Sequence, residues 1–121
     1  MLLGIKRIYN KPDITDGQRV LVDRLWPRGV KKSTSNIDEW FKEVAPSNEL
    51  RKWFSHDPEK WKEFKKKYRK EIEGTKAFIE LVELIKASDV TFLYAAKDTE
   101  HNNAAALAEM VKEKLGQSTQ P

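Results

Sequence analysis

Apolar residues recur along this chain with two periods, and the switches between them predict the elements. Leu2 to Tyr9 reads as a first strand, and Arg19 to Asp23, centred on Val20-Leu21-Val22, as a second. Their connection is too short for a helical crossover, so these strands either pair as a hairpin or are joined by a long loop. Val90 to Ala96 is a continuous apolar run, as expected of a strand covered by helices on both faces. Between these strands the spacing becomes three and four. Ser35, with Asp38 three residues on, caps a helix whose stripe is Ile37, Trp40, Phe41 and Val44. Ala45-Pro46 ends it, and Ser47 caps a short helix, Asn48 to Ser55, buried through Leu50, Trp53 and Phe54. Asp57 as N-cap and Pro58 as first helical residue open Glu59 to Glu73, with Trp61, Phe64, Tyr68 and Ile72 on one face. Gly74 stops that helix. Thr75 caps the next, Lys76 to Ala87, packed through Phe78, Ile79, Val82 and Ile85. Asp98 or Thr99 caps a last helix that runs to Leu115 and ends at Gly116.

Strands separated by helices define the α/β class. The expected architecture is a small single-domain layered fold, with a short, mostly parallel sheet of about three strands covered by about five helices. Residues 1–116 form the domain, Val30 to Asn36 is a polar mobile loop, and 117–121 a frayed tail. The length of 121 residues suits one domain, and the 12 aromatics can fill one modest core. No stretch approaches a membrane span or a signal-peptide apolar region. Zero cysteines exclude disulfides, thiolate metal sites and cysteine nucleophiles, and fit a reducing compartment. The expectation is a cytoplasmic protein without membrane contact.

In parallel sheets ligands bind beyond the carboxyl ends of the strands. Two predicted strand exits carry polar chemistry there. The first is Asp23-Arg24-Leu25-Trp26-Pro27-Arg28-Gly29. Pro27 forbids a helix through it, and its two arginines flank an aromatic ring. Arginine presents a planar fork suited to phosphate or carboxylate, and tryptophan a stacking surface. The plainer reading makes Trp26 a plug at the core edge and pairs the arginines with Asp23 and other acids. The second exit is Lys97-Asp98, followed by His101, Asn102 and Asn103 at the start of the last helix. Free N–H groups and the helix dipole favour an anion there, with ordinary capping as the plainer account. If the strands are parallel neighbours, both exits face one crevice.

The net charge of +4 is uneven: residues 51–76 hold ten Lys/Arg against five Asp/Glu, which leaves the rest of the chain at −1. The lysines of 59–73 cover the side away from Trp61 and Tyr68, as a solvated face would, with glutamates interleaved. Two histidines with scattered carboxylates show no metal spacing, so no metal and no cofactor is expected. All five glycines are isolated, which excludes a P-loop and a dinucleotide fingerprint, and no Gly-x-Ser-x-Gly elbow occurs.

Val22 to Gly29, Trp40, Ala45-Pro46-Ser47, Leu50 to Phe54, His56-Asp57-Pro58, Trp61, Phe64, Leu93 to Asp98, His101-Asn102 and Ala104 together resemble the YeaO-like proteins, domain-of-unknown-function family 488. The resemblance spans nearly the whole chain with unbroken spacing. It implies a small single-domain microbial protein without an established activity. Some relatives carry a MarR-type regulator label, but the residues here offer no wing hairpin after a recognition helix. Some longer relatives carry cysteine motifs near the final strand and helix; this chain has none. No catalytic residue carries over.

The reading that follows is a domain that binds a small anionic, nucleotide-like molecule, with the question of a reaction left open. Arg24, Arg28, Arg51 and Lys97 would hold negative charge, Trp26 would stack and Asn102 would orient polar groups. Asp23, His56 or Asp98 would move protons if a reaction occurs. The alternatives are a nucleic-acid-binding or regulatory module using helix 59–73, and a partner-binding protein anchored by Trp26. Oligomeric state is not legible.

Overall fold

The computed structural model describes residues 2–119, with side chains to residue 116. Its four strands are β1 (Leu3–Arg7), β2 (Gln18–Leu21), β3 (Glu39–Trp40) and β4 (Val90–Tyr94). They form one sheet of order β1-β4-β2-β3 in which every pair is parallel. The α/β class and the parallel sheet hold, with four strands in place of about three. The open question about the first two strands has a clear answer. They do not pair, because β4 lies between them, joined to Ile5 through Phe92 and to Val20 through the same residue.

The added strand corrects the helix expected from Ser35 to Val44. Residues Lys32–Ser35 form a single helical turn, α1, in the segment expected to be mobile. Asn36 then turns left-handed, at φ 53°, and the chain extends into β3. The Asp38 carboxylate accepts from the backbone N–H of Arg19 at 2.8 Å instead of closing a capping box. Ile37 and Trp40 do pack inward, but from an extended chain onto the sheet. Short apolar runs fit either period, and here strand pairing decides.

The remaining helices are α2 (Asn48–Phe54), α3 (Trp61–Ile72), α4 (Lys76–Ala87) and α5 (Asn103–Thr119). Ser47 and Thr75 cap α2 and α4 as the sequence chemistry predicts, each accepting from the backbone N–H three residues on. Asp57 instead accepts from the Glu59 N–H and caps a 3-10 turn, Pro58–Lys60, that leads into α3. The helix α5 runs on through Gly116 to Thr119, so that glycine does not end it; residues 120 and 121 of the expected frayed tail lie outside the described residues.

Side-chain alternation divides the sheet into two unequal faces. Val20, Val22, Phe92 and Tyr94 meet Phe54, Phe64, Tyr68, Phe78, Leu81, Leu107 and Val111 from α2 to α5. Among the described residues the buried apolar cluster of the opposite face is Ile8, Leu21 and Leu93, covered by Trp26, Val30, Ile37 and Trp40. Helices therefore cover one face, and irregular chain carrying two tryptophans covers the other. That explains why β4 is apolar at nearly every position without a second helical layer. Two expected core residues are exposed: Trp53 carries Lys60 and Lys67 ammonium groups 5.1 Å from its ring, and Ile79 faces outward while Leu81 takes the inner position.

Candidate functional site

Because all strands run the same way, the exits of β1, β2 and β4 share one end of the sheet. The chain continues from each strand by a further ladder bond, Ile8 N–H to Tyr94 O and Val22 N–H to Leu93 O. A cleft of about 420 Å³ opens just beyond. Tyr9, the segment Asp23 to Arg28, Pro46, Arg51, Phe54, His56, Phe64, Ala95, Ala96 and His101 to Asn103 line it.

Asp23 is the pivot. Its Oδ2 accepts from the Ala95 N–H at 2.9 Å, tying the β2 exit to the β4 exit. Its carbonyl accepts from the Trp40 indole at 2.7 Å, and Asn103 donates to the neighbouring Val22 carbonyl at 3.0 Å. Burial pushes the Asp23 carboxyl up from its ordinary pKa, against the bonds from Asn103 and Ala95 and the nearby Arg51 charge. Burial, and after it the negative charge of Asp23, raises the Tyr68 phenol, whose hydroxyl donates to Val44 O.

The cleft arginines are held differently. Arg24 directs its fork at two carbonyls, Nε to Pro46 O at 3.0 Å and Nη2 to Ala45 O at 3.1 Å. That fixes the side chain without cancelling its charge. Arg28 is exposed, and its carbonyl accepts from the Tyr9 hydroxyl at 2.9 Å. Arg51 reaches only Asn48 Oδ1, at 3.3 Å. Among the described residues none of these three guanidiniums has a carboxylate within 4.0 Å. The plainer reading, in which Arg24 and Arg28 pair with Asp23 and other acids, is therefore not what the structure shows.

The second exit is arranged otherwise than the sequence suggests. Asp98 does not cap α5; its Oδ1 accepts from the N–H groups of Glu100 and His101, which closes a turn. The cap is Asn102, whose Oδ1 accepts from the Ala105 N–H at 2.8 Å and whose Nδ2 donates to Asp98 O. Only 2% exposed, Asn102 commits both ends of its amide to the helix start while lining the cleft. The His101 backbone bond, then that of Glu100, holds the Asp98 carboxyl below its usual pKa, and His101 Nδ1 lies 3.0 Å from Asp98 Oδ2. Lys97 leaves the sheet at the same end but points to solvent and does not line the cleft.

Trp26 plugs the edge of the core, the plainer of its two readings. It is half-buried over the smaller core, edge-on to Trp40 at 5.4 Å, and its indole donates to Val30 O at 2.8 Å. One part of it still lines the cleft. His56 is at the rim with φ 56°, next to Ser55 at φ 45°. Two successive non-glycine residues in the left-handed region store strain at the lip of the cleft. Sequence reasoning named His101 and Asn103 without giving them a role, and did not use Tyr9 at all. The Asp98-to-His101 spacing of three was the readable signal for His101; Tyr9 comes in only through the strand order. Among the described residues no group of three or more His, Cys, Asp or Glu could hold a metal ion, and no helix is long and apolar enough to cross a membrane.

Fold and cleft together define a small parallel α/β protein with an arginine-walled site at the strand exits. A family model described as the inactive DUF488-N3 subclade matches residues 2–121. An uncharacterised protein of Mycobacterium tuberculosis H37Rv is 42% identical over 107 residues, 88% of this chain and 91% of its own. The uncharacterised protein YeaO of Escherichia coli K12 is 40% identical over 117 residues, 93% of this chain and 98% of its own. No solved structure matches the chain. The chain belongs to the YeaO-like family, domain-of-unknown-function family 488.

Proposed function

We propose that the cleft binds a small anionic, nucleotide-like molecule and that the protein acts by binding it, in the cytoplasm. The observation that carries this reading is the set of Arg24, Arg28 and Arg51 guanidiniums around one concavity, none with a carboxylate within 4.0 Å among the described residues. Arginine forks match phosphate and carboxylate bidentately, and a cavity of this volume suits a mononucleotide-sized ligand. The wall contains no serine, threonine or cysteine, so no hydroxyl or thiol nucleophile of those types faces the ligand. The word "inactive" in the description of the matching subclade agrees with binding in place of turnover. Asp23, His56 and Asp98 then shape and orient the site, with no proton-transfer duty.

The test is a thermal-shift panel of phosphate, sulfate, nucleotides and small carboxylates at fixed ionic strength, on wild type and Arg51→Ala. A ligand at about 100 times its Kd stabilises the fold by about 2.7 kcal/mol, a shift of several degrees for this size. Wild type responds to at least one anion and the variant much less. Equal shifts in both, or none in either, remove the reading.

A second reading, a nucleic-acid surface on α3, is favoured by the exposed Trp53 ring between Lys60 and Lys67. It is the weaker one. Glu109, Glu113 and Glu73 take up Lys65 and Arg69 from the same helix, which lowers the free charge of that face. A steep fall of RNA or DNA affinity with salt, abolished by Lys66→Glu with Lys70→Glu, would restore it.

A further inference from the structure

A cleft built for an anion alone gains nothing from a carboxylate in its wall, yet Asp23 is there. No lysine, arginine or histidine lies within 4.0 Å of it among the described residues. Its protein donors are the Ala95 N–H and the Asn103 amide. A carboxylate offers about four acceptor positions, so two such donors leave capacity unused. A phosphate placed against Asp23 would be repelled, whereas an N–H donor would be attracted. The wall therefore offers both signs of charge: Arg28 and Arg51 favour an anionic group on a guest, and Asp23, within reach of the Arg51 charge, favours a donor group on the same guest.

We propose that the ligand carries both an anionic group and an N–H donor edge, the first held by Arg28 and Arg51 and the second by the Asp23 carboxylate. This deepens the anion-binding reading and rests on it. Two sources share that chemistry: a guanine nucleotide, whose base offers adjacent N–H and NH2 groups, and a small guanidino acid. Adenine presents no such pair, and ribose phosphate has no base edge.

Calorimetric titrations of wild type with GMP, AMP, ribose 5-phosphate, guanidinoacetate and inorganic phosphate test it without any variant. GMP or guanidinoacetate should bind roughly ten- to hundred-fold tighter than ribose 5-phosphate and phosphate, the range of a good two-point contact to a base edge. Whichever of the two binds tighter identifies the source. Asp23→Asn, with its fold verified by its own melting curve, should lose that preference and keep the phosphate response. AMP and ribose 5-phosphate binding as tightly as GMP and guanidinoacetate, with phosphate still bound, would overturn the donor-edge proposal and leave the anion reading standing. No response to any of the five, phosphate included, would overturn both.

Discussion

The two ends of the sheet hold similar residues and use them in opposite ways. At the amino end Asp16 is 7% exposed and meets Lys6 at 2.8 Å and the Arg19 guanidinium at 2.5 Å. Arg19 is completed by the carbonyls of Asn36 and Ser35, and Thr91 donates to Asp16 O. Each buried charge has its opposite. At the carboxyl end Arg24 is fixed just as firmly, but by carbonyls, while Arg28 and Arg51 have no carboxylate within 4.0 Å among the described residues. The same chain can neutralise an arginine and does so at the end away from this cleft. The uncompensated end is the open one, which makes it the end suited to a guest.

The sharpest way to break that comparison is to swap one aspartate at each end for asparagine. Asp16→Asn leaves the Arg19 guanidinium buried without its anion, and breaking a buried pair costs about 3–5 kcal/mol. Asp23→Asn removes a charge that burial already disfavours, so stability at neutral pH should stay level or rise slightly. The pH dependence has opposite signs. Burial opposes ionisation of Asp16, but bonds from Lys6, the Asp13 backbone and Arg19 outweigh it and lower its pKa. Its contribution is present above the unfolded value of about 3.9 and is lost as pH falls through the folded value. Asp23 has a raised pKa, so its charged form costs stability above the folded value, and acidification through that value relieves the cost. Urea unfolding of wild type and both variants between pH 3 and 7 checks this. A larger loss at neutral pH for Asp23→Asn than for Asp16→Asn would invert the comparison.

A glycine at each end gives a second, smaller contrast. Gly17 has φ 66°, and a Cβ there would stand 2.4 Å from Asp89 O, the carbonyl that receives the Gln18 N–H. Gly29 has φ 77° but meets nothing within 4 Å. Gly17→Ala combines backbone strain with a clash against fixed backbone and should cost about 3 kcal/mol. Gly29→Ala carries the left-handed penalty alone, about 1–2 kcal/mol. Melting curves of the two variants decide it, and equal costs would mean that the amino end is less tightly closed than its contacts imply.

The amino-end staple was hard to read in the sequence, and the carboxyl-end cleft was easier, for physical reasons. Arg24, Trp26 and Arg28 stand beside a proline at a strand exit, a local signal that needs no partner. Arg19 and Asp16 looked like strand and turn residues, because the carbonyls that complete Arg19 in burial belong to Ser35 and Asn36, sixteen and seventeen residues away. Caps at Ser47, Asp57 and Thr75 were legible because each is settled within one helical turn. Asn102 was missed as a cap because Asp98 and Thr99 are equally good capping residues, and the turn that Asp98 closes moves the helix start on. The β3 strand was missed for a similar reason: Ile37, Trp40 and Phe41 fit a helical stripe, and only the ladder offered by β2 makes them extended. Lys97 was placed at the correct end of the sheet, yet sequence position says nothing of which way a long side chain leaves a turn.

The smallest effect on stability should come from the cleft arginines themselves. Arg28→Ala and Arg51→Ala remove no carboxylate pair and leave no buried acceptor unsatisfied, so each should shift stability by no more than about 0.5 kcal/mol in ligand-free buffer. Arg24→Ala is different, because Ala45 O and Pro46 O lose their donors, and it should cost about 1–2 kcal/mol. Three like charges around one cavity also repel, so removing Arg28 or Arg51 offsets part of whatever packing is lost. The response to anions should move the other way. Sulfate titrated at constant ionic strength should raise the wild-type melting temperature, and the slope should fall in Arg28→Ala and Arg51→Ala while their ligand-free melting temperatures stay near wild type. A large ligand-free loss in either variant, with the sulfate slope unchanged, would mean that these side chains brace the fold as Arg19 does, and the difference between the two ends would disappear.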